Sequence, residues 1–68
     1  MTSHRYEFRI AGHLAPTTRE AFEGMTVTDA PPETVVRGTV LDDAHLHGVL
    51  ALIQDLGLQV VAVQRVED

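Results

Sequence analysis

Apolar and polar residues alternate with a period of two near the start of the chain. Within residues 5–11, Tyr6, Phe8 and Ile10 occupy one side, while two arginines and a glutamate occupy the other. This alternation of aromatic and β-branched residues with charged residues is typical of a half-buried strand. Runs rich in valine and threonine favour strands as well. These runs predict three further strands, at residues 26–29, 34–41 and 59–66.

Two other segments place apolar residues three or four positions apart, which is the spacing of an amphipathic helix. The first begins at Pro16 and ends at Gly24, since proline favours the first helical turn and glycine favours the position after a helix. We expect about two turns here. The second helix is predicted from about residue 43 to residue 56. Its core-facing residues lie within about 120° of arc and are Leu46, Val49, Leu50, Ile53 and Leu56.

The predicted elements follow one another in the order β-α-β-β-α-β. Residues 30–33 contain two prolines and form a turn that joins the second and third strands as an antiparallel hairpin. This order is the split βαβ arrangement of ferredoxin-like domains. We therefore predict one α+β, ferredoxin-like domain over residues 1–68. Its four-stranded antiparallel sheet would have the order 4-1-3-2, with two helices on one face.

The composition narrows the possible functions. The chain has no cysteine, which excludes disulfides, thiolate metal ligands and a cysteine nucleophile. Its formal charge is −5 at pH 7, whereas DNA and RNA partners require a dominant cationic face. The longest apolar stretch, residues 48–53, is far shorter than the roughly 20 residues of a membrane span, and the first ten residues lack a signal-peptide pattern. We therefore expect a cytoplasmic protein with neither a nucleic-acid nor a membrane partner.

The C-terminal half of the chain resembles a group of small, stand-alone actinobacterial proteins with no assigned activity. The resemblance rests on residues 34–66, TVVRGTVLDDAHLHGVLALIQDLGLQVVAVQRV. The shared pattern is a strand, an aspartate, a helix containing Leu-x-Gly-[Val/Leu]-Leu, the segment Asp-Leu-Gly-Leu and a final strand. In topology alone the chain also resembles ligand-binding ACT domains, but it has no glycine-rich ligand loop of that family. Neither resemblance implies a functional residue.

Two aspartates and two histidines lie close together in the stretch LDDAHLHGVL. Asp42 precedes the helical stripe, so we expect its carboxylate to accept backbone amide hydrogens as the N-cap, with Asp43 complementing the helix dipole. His45 and His47 are two positions apart and project about 200° apart on a helix, so they cannot share a metal. We therefore predict no metal site, no cofactor and no catalytic residue.

The sheet face away from the helices is the main candidate for a functional surface, and it displays Arg5, Glu7, Arg9 and Arg37. The last strand is apolar on both sides, so it adds either Val61, Val63 and Arg65 or Val60, Ala62 and Gln64. In the first arrangement Arg65 joins the face, which then gathers four of the five arginines. Guanidinium groups bind carboxylate and phosphate through paired hydrogen bonds, which suits an anionic ligand or an acidic protein. A homodimer contact and a solvated face are the alternatives.

These features predict a small, non-enzymatic interaction or regulatory module that forms a homodimer through the open sheet face. The alternative is a binder of an anionic small molecule, or a minimal enzyme, with a pocket at a dimer interface. Isolated glycines and a single serine offer no motif for catalysis. A further candidate contact is the helix flank of His45 and Leu52. The alternative there is a peripheral core leucine beside a solvated histidine.

Overall fold

The computed structural model describes residues 3–66, and these residues form four strands and two helices. Their bounds are β1 His4–Ala11, α1 Pro16–Arg19, β2 Thr26–Ala30, β3 Glu33–Val40, α2 Asp43–Asp55 and β4 Val60–Val66. The predicted strands agree with these bounds to within one residue. Among residues 3–66, neither helix is long and apolar enough to cross a membrane.

The strands form one antiparallel sheet in the order β2-β3-β1-β4. This is the order 4-1-3-2 when the sheet is viewed from its other edge, so β1 and β3 are central and β2 and β4 are edge strands. β1 pairs with β3 along its whole length. It pairs regularly with β4 until Arg9 lies opposite Ala62, where a shift in register brings Val60 opposite Ile10.

The hydrophobic core lies on one side of this sheet, which we call the helix side. Alternation along β1 and β3 sends their core residues to this side and Val35, which is also buried, to the other side, which confirms the predicted facing of both strands. α2 packs two buried residues onto them, and the segments around α1 contribute two more. The core residues are Phe8, Ile10, Leu14, Phe22, Val36, Val40, Val49 and Ile53.

Gly38 on β3 leaves room for Met25 above the helix side of the sheet. A Cβ atom at position 38 would lie 2.7 Å from Met25 Cγ, closer than non-bonded carbon atoms approach. The glycine therefore permits close packing within the strand.

The first helix is much shorter than predicted. α1 is a single turn, Pro16–Arg19, and none of its residues is buried. Its N-cap residue, Ala15, makes no side-chain hydrogen bond, and its first turn has no acidic residue. The helix start therefore lacks the usual stabilising groups. The chain continues in turns, in which Phe22 N donates to Arg19 O at 3.1 Å and the Phe22 ring enters the core.

The prediction of a ferredoxin-like domain with two helices on one face is therefore wrong. Within residues 3–66, α2 is the helix that contributes buried side chains, and α1 contributes none. The sheet thus does not carry a layer of two packed helices. The fold is an α+β domain with one substantial helix, and the cover of the helix side is incomplete.

Both ends of α2 are fixed by local hydrogen bonds. Asp42 Oδ1 accepts a hydrogen bond from His45 N at 2.8 Å, which confirms Asp42 as the N-cap. At the other end, Leu58 N donates to Ile53 O at 3.1 Å. Gly57 adopts a φ of 75°, which favours glycine, and this pattern is the Schellman motif. Local residues therefore determine where α2 begins and where it ends.

Candidate functional site

Glu7 lies near the centre of the open face, which is the side of the sheet away from the core. It lies opposite Arg37 on β3 and opposite Gln64 on β4. Arg5 and Arg9 are two positions away on β1 and share this face. The structure therefore brings together the predicted site residues Arg5, Glu7, Arg9 and Arg37.

The Glu7 carboxylate accepts hydrogen bonds from three side chains. Arg37 Nε donates to Oε1 at 2.7 Å, and Arg37 Nη2 lies 2.6 Å from the same oxygen. Arg9 Nε donates to Oε2 at 3.2 Å, and Gln64 Nε2 donates to the same oxygen at 3.0 Å. These groups leave Glu7 only 2% exposed. The hydrogen bond from Arg37 lowers the pKa of Glu7, although burial acts in the opposite direction.

The same network occupies the arginines of the open face. Arg9 Nη1 also donates to Glu33 Oε1 at 3.2 Å, and Arg5 has an interaction of its own. Arg9 and Arg37 thus already have carboxylate partners within the chain. An anionic ligand that used their paired donors would have to displace Glu7 or Glu33. The open face is therefore a satisfied ion-pair network.

Arg65 lies on the helix side of the sheet, so the prediction that it joins the arginine face is wrong. It pairs with Tyr6, which packs against the core, whereas Ala62 and Gln64 point to the open face. Valines occupy both sides of β4, and for this reason the sequence left the choice open. Arg65 Nη1 instead lies 3.4 Å from His4 Nε2. The predicted group of four arginines is reduced to three.

The two residues of the predicted helix flank, His45 and Leu52, line the same cavity. This cavity has a volume of about 320 Å³, and Gly48 also lines it. His45 Nδ1 accepts a hydrogen bond from Leu41 N at 3.0 Å, so the imidazole connects the first turn of α2 to the residue before its N-cap. Leu52 is half-buried and packs against the core. Both side chains therefore have structural roles on this flank.

Another cavity, of about 250 Å³, lies where the start of β1 meets the start of α2, and His4, Tyr6 and Asp43 help to line it. They meet because the first residue of β1 pairs with the last residue of β3. The sequence alone did not place His4 beside Asp43, although the pairing of the start of β1 with the end of β3 brings them together. Within residues 3–66, no group of three or more histidine, aspartate or glutamate side chains is arranged to hold a metal ion.

The edge strand β4 exposes two valines. Val61 is 50% exposed and Val63 is 39% exposed, and we call this pair the β4 edge. Val63 pairs with Phe8 and therefore points to the helix side, where α2 leaves it partly uncovered. A strand that is apolar on both sides is typical of a strand that is covered on both sides. The described chain does not provide that cover.

The fold and these surfaces define a small α+β domain whose antiparallel sheet is covered by one helix along part of one side. The chain belongs to the family described as Domain of unknown function (DUF8691), whose model matches residues 5–64. The match extends from β1 into β4. No curated protein and no solved structure matches the chain.

Proposed function

We propose that the protein is a small, non-enzymatic interaction module that associates with a second copy of itself. The exposure of Val61 and Val63 on an edge strand carries this proposal. An edge strand presents backbone N–H and C=O groups without strand partners, and natural proteins protect such edges with charges, prolines or covering elements. The β4 edge has apolar side chains instead. A second copy would bury the valines and pair the backbone groups.

The small size of the domain also supports association. A chain of 68 residues buries only about 60% of its unfolded surface, and domains of this size often gain stability by oligomerising. Here the core rests on one substantial helix, because α1 contributes no buried residue. Burial of the β4 edge against a second copy would add to the stability of this small core.

The proposed contact lies at the β4 edge, whereas the sequence favoured the arginine-bearing open face. Arg9 and Arg37 are hydrogen-bonded to Glu7, and Arg9 also binds Glu33. A partner docking on these groups would have to rearrange pairs that are already satisfied, and removing one partner of a covered pair is costly. The valines gain from burial without such a loss.

Binding of a small molecule is the second candidate function, and the cavity beside His4 and Tyr6 supports it. Its volume of about 250 Å³ is slightly below the roughly 300–1,000 Å³ of typical ligand pockets. Asp42 and Asp43 also line it, so its charge favours a neutral or cationic molecule over an anionic one. The exposed valines of β4 play no part in this candidate function.

The test of the proposed function is the effect of Val63→Lys on association. We expect analytical ultracentrifugation to detect a dimer of the unaltered protein between about 1 µM and 1 mM, the range of modest protein affinities. A lysine at position 63 would place a charge in the contact and weaken the dimer at least about tenfold. Because Val63 is 39% exposed, the variant should keep its circular dichroism spectrum.

Leu41→Lys is the matched control. Leu41 is 60% exposed but follows β3, which β1 separates from β4. The same loss of apolar surface at this distance should leave the dimer unchanged. A monomer at all concentrations, or equal effects of the two lysines, would contradict the proposal.

We also propose an actinobacterial origin and a cytoplasmic location. The resemblance of residues 34–66 supports the origin, as does the use of arginine without any lysine, which is typical of GC-rich coding sequences. The lack of cysteine is compatible with a reducing compartment. Cell fractionation with an antibody against the protein would test the location.

A further inference from the structure

Resting on the proposed self-association, we infer that two copies pair their β4 strands antiparallel about a twofold axis at Val63. The two four-stranded sheets would then form one continuous sheet of eight strands. Such a contact is isologous, because the same surface of each copy is used.

The two edges of the sheet differ in how well they are protected. β4 has seven residues with no proline, and Arg65 is its one charged residue. β2 has five residues, and Pro31 and Pro32 follow it directly. Asp29 on β2 also forms an ion pair with Arg19, and His13 Nδ1 lies 3.4 Å from Asp29 Oδ1. Shortness, proline and charge all oppose pairing at an edge, so β4 is the edge that can accept a strand.

This asymmetry predicts an assembly that closes at two copies. Pairing of β4 with β4 uses the open edge of each copy and leaves the two protected β2 edges outside. A contact between β4 and β2 would instead repeat from copy to copy and build an open-ended sheet. A second copy therefore pairs the backbone groups of the β4 edge and leaves only the protected β2 edges exposed.

The sequence of β4 is self-complementary in the proposed register. With Val63 opposite itself, Ala62 lies opposite Gln64 of the second copy, and Val61 lies opposite Arg65 of the second copy. Ala62 and Gln64 both point to the open side, as antiparallel pairing requires.

Charge favours the same arrangement. In this register the two Arg65 residues are four positions apart along the paired strands, or about 13 Å at 3.3 Å per residue. This exceeds the Debye length of about 8 Å at physiological salt, so their repulsion is screened. The paired stretch from Ala62 to Gln64 also lies on the C-terminal side of the irregularity in β4, which falls at Val61.

Single-cysteine cross-linking tests this pairing in a chain that has no cysteine of its own. Residues opposite each other in an antiparallel pair have Cα atoms about 4.5–5.5 Å apart, within the range that a disulfide spans. Val63→Cys is therefore expected to form a disulfide-linked dimer under mild oxidation. Ala62→Cys is the matched control, because its two copies would be offset by two positions, with Cα atoms about 8 Å apart.

The expected result is cross-linking at position 63 at least about tenfold faster than at position 62. A mixture of Ala62→Cys and Gln64→Cys proteins should give the mixed disulfide as well, because these positions face each other in the proposed register. A dimer that cross-links at position 62 and not at 63, or at neither position, overturns this pairing but leaves self-association standing. A protein that is monomeric in ultracentrifugation overturns both proposals.

Discussion

At the scale of single residues, Glu7 shows how the open face of the sheet is organised. Its carboxylate is 2% exposed although it points away from the core, because Arg37, Arg9 and Gln64 close over it. Its lowered pKa means that the folded state favours the ionised form. Ionised Glu7 therefore stabilises the fold above its ordinary pKa of 4.5, and this stabilisation disappears as the pH falls through the lowered value.

Glu7→Gln is expected to lower the free energy of unfolding by about 1–3 kcal/mol at pH 7, because charge-assisted hydrogen bonds are lost. The difference from the unaltered protein should shrink as the pH falls below 4.5, where Glu7 itself becomes protonated. Urea unfolding at a series of pH values measures this difference. Glu33→Gln is the control, because Glu33 is 27% exposed and, among residues 3–66, its carboxylate pairs with Arg9. Its cost should stay below about 1 kcal/mol, and equal costs would argue against a special role for Glu7.

Single residues were predictable where their partners are close in sequence. Asp42 binds the amide of His45 three positions later, and the sequence shows both. Two of the three partners of Glu7 lie 30 and 57 positions away, on strands whose exact register the sequence does not specify. The open-face position of Glu7 was therefore predicted, but its burial was not.

At the scale of elements, the bounds of α2 were predicted well because residues next to its two ends form its capping hydrogen bonds. Asp42→Ala removes the N-cap hydrogen bond and should cost about 0.5–2 kcal/mol. Asp43→Ala removes only a favourable charge in the first turn and should cost about 0.3–1 kcal/mol. Chemical denaturation of the two variants compares them directly. A cost for Asp42→Ala no larger than that for Asp43→Ala would show that capping contributes little.

Two elements differ from their predictions because their sequence patterns are compatible with more than one structure. Apolar residues spaced by three or four positions between Leu14 and Met25 predicted a helix of about two turns. The same spacing also suits a chain of turns, and without a capping side chain at Ala15 the helix ends after Arg19. The sequence could not predict which side of the sheet each residue of β4 faces for a related reason, because valines occupy both sides of this strand.

At the scale of the whole molecule, the helix side of the sheet is covered less than the sequence predicted. The strand pairings could be predicted because short connections limit which strands can be neighbours, and the alternation of apolar and polar residues limits their register. A second packed helix was expected from the ferredoxin-like arrangement, but α1 contributes no buried residue, and it leads into β2 at the edge opposite β4. The exposed valines of β4 lie at the other edge of the sheet.

A dimer through β4 predicts that thermal stability depends on protein concentration, because association stabilises the folded chain by mass action. For a folded dimer, each tenfold rise in concentration adds about 1.4 kcal/mol per dimer, or about 3–5 °C in Tm for a domain of this size. Differential scanning calorimetry at several concentrations measures this slope. Val63→Lys should abolish it, whereas Leu41→Lys should preserve it. A monomeric binder of small molecules would instead show a Tm that rises with ligand and is constant with protein concentration, so the slope distinguishes the two candidate functions.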